Sequence, residues 1–114
     1  MNNKSTMVSS LEDAINLGPP PEGYISIPVL ANGSMEARLY TPGETDTQTP
    51  HTRDEIYVVA KGSGDFFNGE KNIPIQEGSF IFVPAGLEHR FLNYTNDFAV
   101  WVIFYGPEGG ECDE

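Results

Sequence analysis

Between residues 24 and 105 the chain is a succession of short runs of Val, Ile, Tyr and Phe, each cut off by Gly, Pro or Asn. Branched and aromatic side chains suit a pleated, half-buried surface, and the punctuating residues suit turns. This pattern predicts strands over residues 24–31, 35–40, 55–60, 64–67, 71–75, 79–83, 89–94 and 98–105. Asn68-Gly69 has the composition of a two-residue hairpin turn, since both residues tolerate positive φ. Many short strands with regular turn signals point to a sandwich or small barrel, not to a parallel α/β sheet. With 114 residues, the fold class is a single all-β domain with one adequate core.

The ends read differently. Ser9 or Ser10 can cap a short helix bearing Leu11, Ala14 and Ile15, with Glu12 and Asp13 in its first turn, where acids suit the helix dipole. Gly18 and Pro19-Pro20-Pro21 then stop it. The expected division is a helical or extended arm over 1–21, a barrel over 22–106 and a flexible acidic tail over 107–114.

Strand faces carry the next inference. Alternation puts Glu55, Tyr57 and Val59 on one face and Ile56, Val58 and Ala60 on the other. The last strand is apolar on both faces, with Phe98, Val100, Val102 and Phe104 opposing Ala99, Trp101, Ile103 and Tyr105. A wall wetted outside alternates more clearly, so a second sheet, the N-terminal segment or another copy of the chain must cover the outer face. A homodimer is the expected state.

Six basic residues stand against 17 acidic ones, a formal net charge of −11. That argues against nucleic acid and against an anionic membrane surface as partners. No apolar run approaches the roughly 20 residues of a membrane span. One cysteine, Cys112, excludes an internal disulfide framework and suits a cytoplasmic location.

The chemistry concentrates around the two histidines, His51 and His89. If the strand after His89 lies beside the strand of Glu55, then His51, Glu55 and His89 converge inside the barrel. Two imidazoles and a carboxylate with open positions suit a divalent transition metal: Fe, Mn, Zn or Ni. Tyr57 shares the face of Glu55; it is either a candidate catalytic proton donor or a barrel-lining aromatic. Arg38 either binds a substrate carboxylate or is a solvated strand-face charge. Arg53 and Arg90 either steer an anion or form surface ion pairs. Asp54 either orients His51 or ends a loop.

Gly78, Pro84, Gly86, His89 and Asn93 match in full the motif Gly-x5-Pro-x-Gly-x2-His-x3-Asn, and Glu55 and Gly62 match the close of a second motif. On these residues the chain resembles the cupin superfamily over roughly residues 24–105. The resemblance implies a double-stranded β-helix, a jelly-roll-like barrel, often dimeric, with any ligand inside. It carries the metal positions over to His51, Glu55 and His89. The fourth, usually a second histidine, falls on Thr49; its hydroxyl, Gln48 or water would fill the gap. The implied function is a divalent-metal-binding cupin holding a small organic molecule, as a metal-dependent oxygenase or isomerase. The alternative is a non-catalytic binding or sensing cupin with a degenerate or absent metal site.

Overall fold

The computed structural model describes residues 6–111; Cys112 and the last two residues of the expected tail lie outside them. Ser10 opens helix α1 (Leu11–Ile15) with a capping box. Its Oγ accepts from the Asp13 N–H at 3.0 Å, and the Asp13 carboxylate accepts from the Ser10 N–H at 3.2 Å. Both would otherwise be orphan donors at a helix start. The helix ends at Asn16, ahead of the proline run.

Eight strands follow: β1 (Ile27–Asn32), β2 (Met35–Tyr40), β3 (Asp54–Lys61), β4 (Ser63–Phe67), β5 (Asn72–Gln76), β6 (Phe80–Val83), β7 (Arg90–Leu92) and β8 (Ala99–Tyr105). They form two antiparallel sheets, ordered β1-β2-β8-β3-β6 and β5-β4-β7. This is the expected β-sandwich or barrel. β1 begins at Ile27 rather than Tyr24, and its register with β2 shifts between Pro28 and Leu30. Pro28 has no N–H for a ladder, so the chain tolerates it on this edge strand beside a bulge.

The Asn68-Gly69 segment does form a hairpin, but its loop is longer than two residues. Phe67 pairs with Asn72, and the Asn68 side chain accepts from the N–H groups of Glu70 and Lys71, both at 3.0 Å. Asn68 thus closes an Asx-type turn, and only Gly69 takes a positive φ, +95°.

The two sheets face each other across the core. From the five-stranded sheet come Tyr40, Tyr57, Val59, Val83, Val100, Val102 and Phe104; from the three-stranded sheet, Phe66, Ile75 and Phe91. Register fixes who faces inward: Glu55 and Glu36 both pair with Phe104, and Tyr57 and Arg38 both pair with Val102. Directly paired residues share a face, so Glu55, Tyr57 and Arg38 all point into the barrel. On the outer face, Ala14 of α1 and Ile27 pack against Leu39 and Ala99. The N-terminal segment is therefore the cover for that end. Phe80 and Phe82, farther along, remain 68% and 52% exposed.

The strand after His89 does not neighbour β3. β7 pairs with β4, in the opposite sheet. The chain crosses between sheets at Gly62, whose φ of +84° permits the corner and whose missing Cβ leaves room for Thr95 and Asp97. His89 thus meets Glu55 across the barrel instead of along one sheet.

The described part of the tail lies hydrogen-bonded along the barrel instead of free. Gly109 N–H donates to the Thr52 carbonyl at 2.6 Å, and Glu111 N–H donates to Asp54 at 3.0 Å. Among the described residues no helix is long and apolar enough to cross a membrane.

Candidate metal centre

His51 precedes β3, Glu55 lies on it, and His89 immediately precedes β7. The structure brings the three together: one ligand atom from each lies within 4.8 Å of the others. Glu55 Oε1 stands 3.1 Å from His89 Nε2 and 3.5 Å from His51 Nε2. The loop that delivers His89 depends on Gly86, at φ +83°, whose N–H donates to the His51 carbonyl at 2.7 Å. That bond ties the two histidine segments to each other.

Hydrogen-bond bookkeeping shows what these atoms offer. His89 Nδ1 lies 2.8 Å from the Leu87 carbonyl. A carbonyl only accepts, so Nδ1 carries the proton and a neutral His89 presents a bare Nε2. Glu55 is fully buried, and neither of its carboxylate oxygens accepts a hydrogen bond. With His89 neutral, the short Nε2 to Oε1 contact is therefore one acceptor facing another, whereas a protonated His89 donates across it. Holding a carboxylate dry and without donors costs several kcal/mol, and a bound cation removes that cost.

Gln48 lies beside this cluster. Thr49 is exposed. The Gln48 amide nitrogen donates to Asp46 Oδ2 at 2.8 Å, which turns its Oε1 inward to 3.5 Å from His51 Nε2. Tyr57 Oη donates to this Oε1 at 2.6 Å and lies 3.1 Å from His89 Nε2. Three acceptors, His89 Nε2, Glu55 Oε1 and Gln48 Oε1, thus converge with one hydroxyl proton among them, and His51 Nε2, 3.5 Å from both oxygens, adds a fourth in the tautomer protonated at Nδ1. Ligands about 2.1 Å from a metal stand roughly 3.0 to 3.4 Å apart at right or tetrahedral angles. The cluster's 3.1 and 3.5 Å separations match that spacing, so the residues fit the group.

Asp46 is the residue that sequence reading missed. Its carboxylate accepts from Tyr40 Oη, from Gln48 N–H at 3.1 Å and side chain, and from Phe91 N–H at 2.7 Å. It joins the loop before His51 to the strand after His89. No spacing rule marks it, because the loop is irregular. Asp54 does not orient His51; it accepts from Ala85 N–H at 2.9 Å and from the tail. Asn93 leaves the face of His89 and Phe91: its φ is 54°, and its side chain reaches out to Asp65 at 3.0 Å.

Electrostatics separates the two histidines. Burial pulls His51 below the ordinary imidazole value, outweighing the lift from Glu55. Burial also acts to lower His89, but Glu55 and the Leu87 carbonyl outweigh it, and the ring is held above that value. Burial, reinforced by Glu55 and Asp46, pushes the Tyr57 hydroxyl well above the phenol range, so it keeps its proton.

Arg38 is not a solvated strand-face charge. It sits at the inner mouth of the barrel, paired with Glu36 at 2.8 Å and lying 4.7 Å above the Tyr24 ring. Arg53 also contacts Glu36, at 3.3 Å. Arg90 makes a surface pair with Glu88 at 3.6 Å.

Comparison with known proteins agrees with this architecture. The family described as "Cupin domain" matches residues 38–105. An uncharacterised protein of Streptomyces coelicolor is 37% identical over 81 residues, covering 69% of this chain and 77% of that one. Acireductone dioxygenase of Drosophila melanogaster is 40% identical over 57 residues, 46% of this chain but only 31% of the enzyme. The chain thus spans about a third of that enzyme's length. A solved cupin-2 domain protein of Shewanella frigidimarina superposes with a TM-score of 0.67 at 19% identity, covering 87% of this chain and 95% of the other.

Proposed function

The chain belongs to the cupin family, and from that premise we propose that His51, Glu55, His89 and Gln48 hold a divalent transition metal that engages a small organic molecule inside the barrel. The observation that carries this reading is Glu55, fully buried with both oxygens lacking a hydrogen-bond donor, beside the bare Nε2 of His89. Two imidazoles, a carboxylate and a neutral amide oxygen suit Fe, Mn, Ni or Zn. A metal so held supplies Lewis acidity or, if redox-active, a site for oxygen chemistry.

The chain's own residues set the rest. Gln48 Oε1 stays aimed inward because Asp46 holds its amide nitrogen. Tyr57 keeps its proton and offers it at the ligand face, as a hydrogen-bond donor to Gln48 or to a bound molecule. Phe66, Phe91 and Phe104 pack around the cluster, Phe104 against His51 and Phe66 against His89. The local match to acireductone dioxygenase favours a metal-dependent oxygenase among cupin chemistries. The second reading is a non-catalytic small-molecule sensor. It is favoured by exposed Thr49, which leaves three ionisable ligands where many cupins have four.

The exposed Phe80 and Phe82 lie on the outer face of an edge strand and support a homodimer that covers them. A cytoplasmic location is the companion expectation, resting on the single cysteine. The test of function is elemental analysis of protein isolated without chelators, repeated on His89→Ala. About one equivalent of metal, lost in the variant, supports the metal centre; a metal-free protein that also fails to take up added metal contradicts it.

A further inference from the structure

Two of the chain's six basic residues line one pocket. In a protein with 17 acidic side chains, Arg38 and Arg53 border a cavity of about 310 Å³ at the barrel mouth, together with Tyr24, Ser26, His51 and Phe104. Each guanidinium lies over an aromatic ring: Arg38 is 4.7 Å from the centre of Tyr24, and Arg53 is 5.1 Å from the centre of Phe104. Stacking of this kind holds a guanidinium flat while leaving donors on its edge for a planar anion.

The resident counter-charge is thin. One carboxylate, Glu36, serves both arginines, accepting from Arg38 at 2.8 Å with Oε1 and from Arg53 at 3.3 Å with Oε2. Ser26 lies at the limit of contact with Arg38, 3.5 Å away. The mostly exposed Glu108 approaches Arg53 no closer than 3.9 Å, beyond hydrogen-bond reach. Arg38 also projects from the inner face of β2, opposite Val102, where a guanidinium is costly to bury for structure alone. His51 forms the wall shared by this cavity and the metal cluster.

We propose that this pocket binds a small organic carboxylate, with the carboxylate on Arg38 and Arg53 and the body of the molecule between Tyr24 and Phe104. The far end then points at His51. Only that orientation rests on the metal reading; the anion site stands without it. In a chain of formal net charge −11, two neighbouring guanidinium groups mark this mouth as the place where an anion is admitted.

Calorimetric titration with benzoate and its neutral counterpart benzamide, on protein dialysed against EDTA, tests the site. Benzoate should bind at least tenfold more tightly than benzamide. Arg38→Gln should remove that preference while leaving the circular dichroism spectrum unchanged, and Arg53→Gln should reduce it. Equal binding of the two probes, absence of benzoate binding, or an undiminished preference in folded Arg38→Gln overturns the proposal. Should Arg38→Gln fail to fold, the wild-type comparison and Arg53→Gln decide the matter. Uptake of added manganese or zinc by the same preparations separates the two readings. Benzoate selectivity with no metal uptake sinks only the metal centre, and metal uptake without selectivity sinks only the anion pocket.

Discussion

At a pH above the His89 titration, where that ring is neutral, replacing Glu55 with Gln should stabilise the metal-free protein and abolish its response to metal, two effects of opposite sign from one substitution. Glu55 is fully buried, and its oxygens have no donors. The Glu55→Gln amide removes the carboxylate and brings N–H donors to a place 3.1 Å from His89 Nε2. One new buried hydrogen bond and the lost charge together are worth about 1–2 kcal/mol. For a domain of this size that raises the melting temperature by roughly 4–8 °C. Wild-type protein in metal at a hundred times its Kd should gain about 2.7 kcal/mol, or about 10 °C. The variant should keep less than a quarter of that gain. Scanning calorimetry of EDTA-treated protein, with and without added manganese or zinc, measures both shifts. Below the His89 titration Glu55 partners a protonated His89, and there removing its charge breaks a buried ion pair and costs about 3–5 kcal/mol. At the higher pH, a metal-free variant melting more than 10 °C below wild type, or one retaining the full metal response, refutes the reasoning.

In metal-free protein His89 should titrate above the ordinary histidine value of about 6.5 and His51 below it, as their opposite shifts require. The raised His89 value favours folding below about pH 6.5, and that contribution fades as pH rises through the folded value. Imidazole resonances followed by NMR should show two separated midpoints; a common one contradicts the assignment. Asp46→Ala leaves Gln48, Tyr40 and Phe91 N–H without their shared acceptor. It should cost about 2–3 kcal/mol in urea unfolding and weaken metal binding by roughly 10–100-fold; unchanged metal affinity would show that Gln48 needs no such support. Phe80→Glu combined with Phe82→Glu should shift the protein from dimer to monomer in light scattering without unfolding it, since neither side chain is in the core. A dimer that persists places the interface elsewhere.

Local patterns were legible because local chemistry determines them. β2 follows residue alternation with no error at either end. His89 could be located from its motif because Gly78 and Gly86 both need positive φ, and such needs leave a mark on sequence. The convergence of His51, Glu55 and His89 was also readable, although the route was not. The corner at Gly62 sends β4 into the other sheet, where it meets β7, and pairing between distant strands has no local signature. Counting back from Glu55 points to Thr49, yet the irregular loop turns Gln48 inward because Asp46 holds its amide. Asp46 works through four hydrogen bonds to three segments, none of which has a spacing to read. Alternation alone leaves Arg38 open between the two faces, because it cannot say which is the inner one; its pairing with Val102 does.

The most direct test is the metal content of freshly isolated protein, measured beside His89→Ala. His51, Glu55, His89 and Gln48 gather acceptors around a point that calls for a cation. About one equivalent of Fe, Mn, Ni or Zn per chain in the wild type, and less than a tenth of that in the variant, is the predicted result. Protein that carries no metal, takes up none from solution and gains no thermal stability from it would contradict the account.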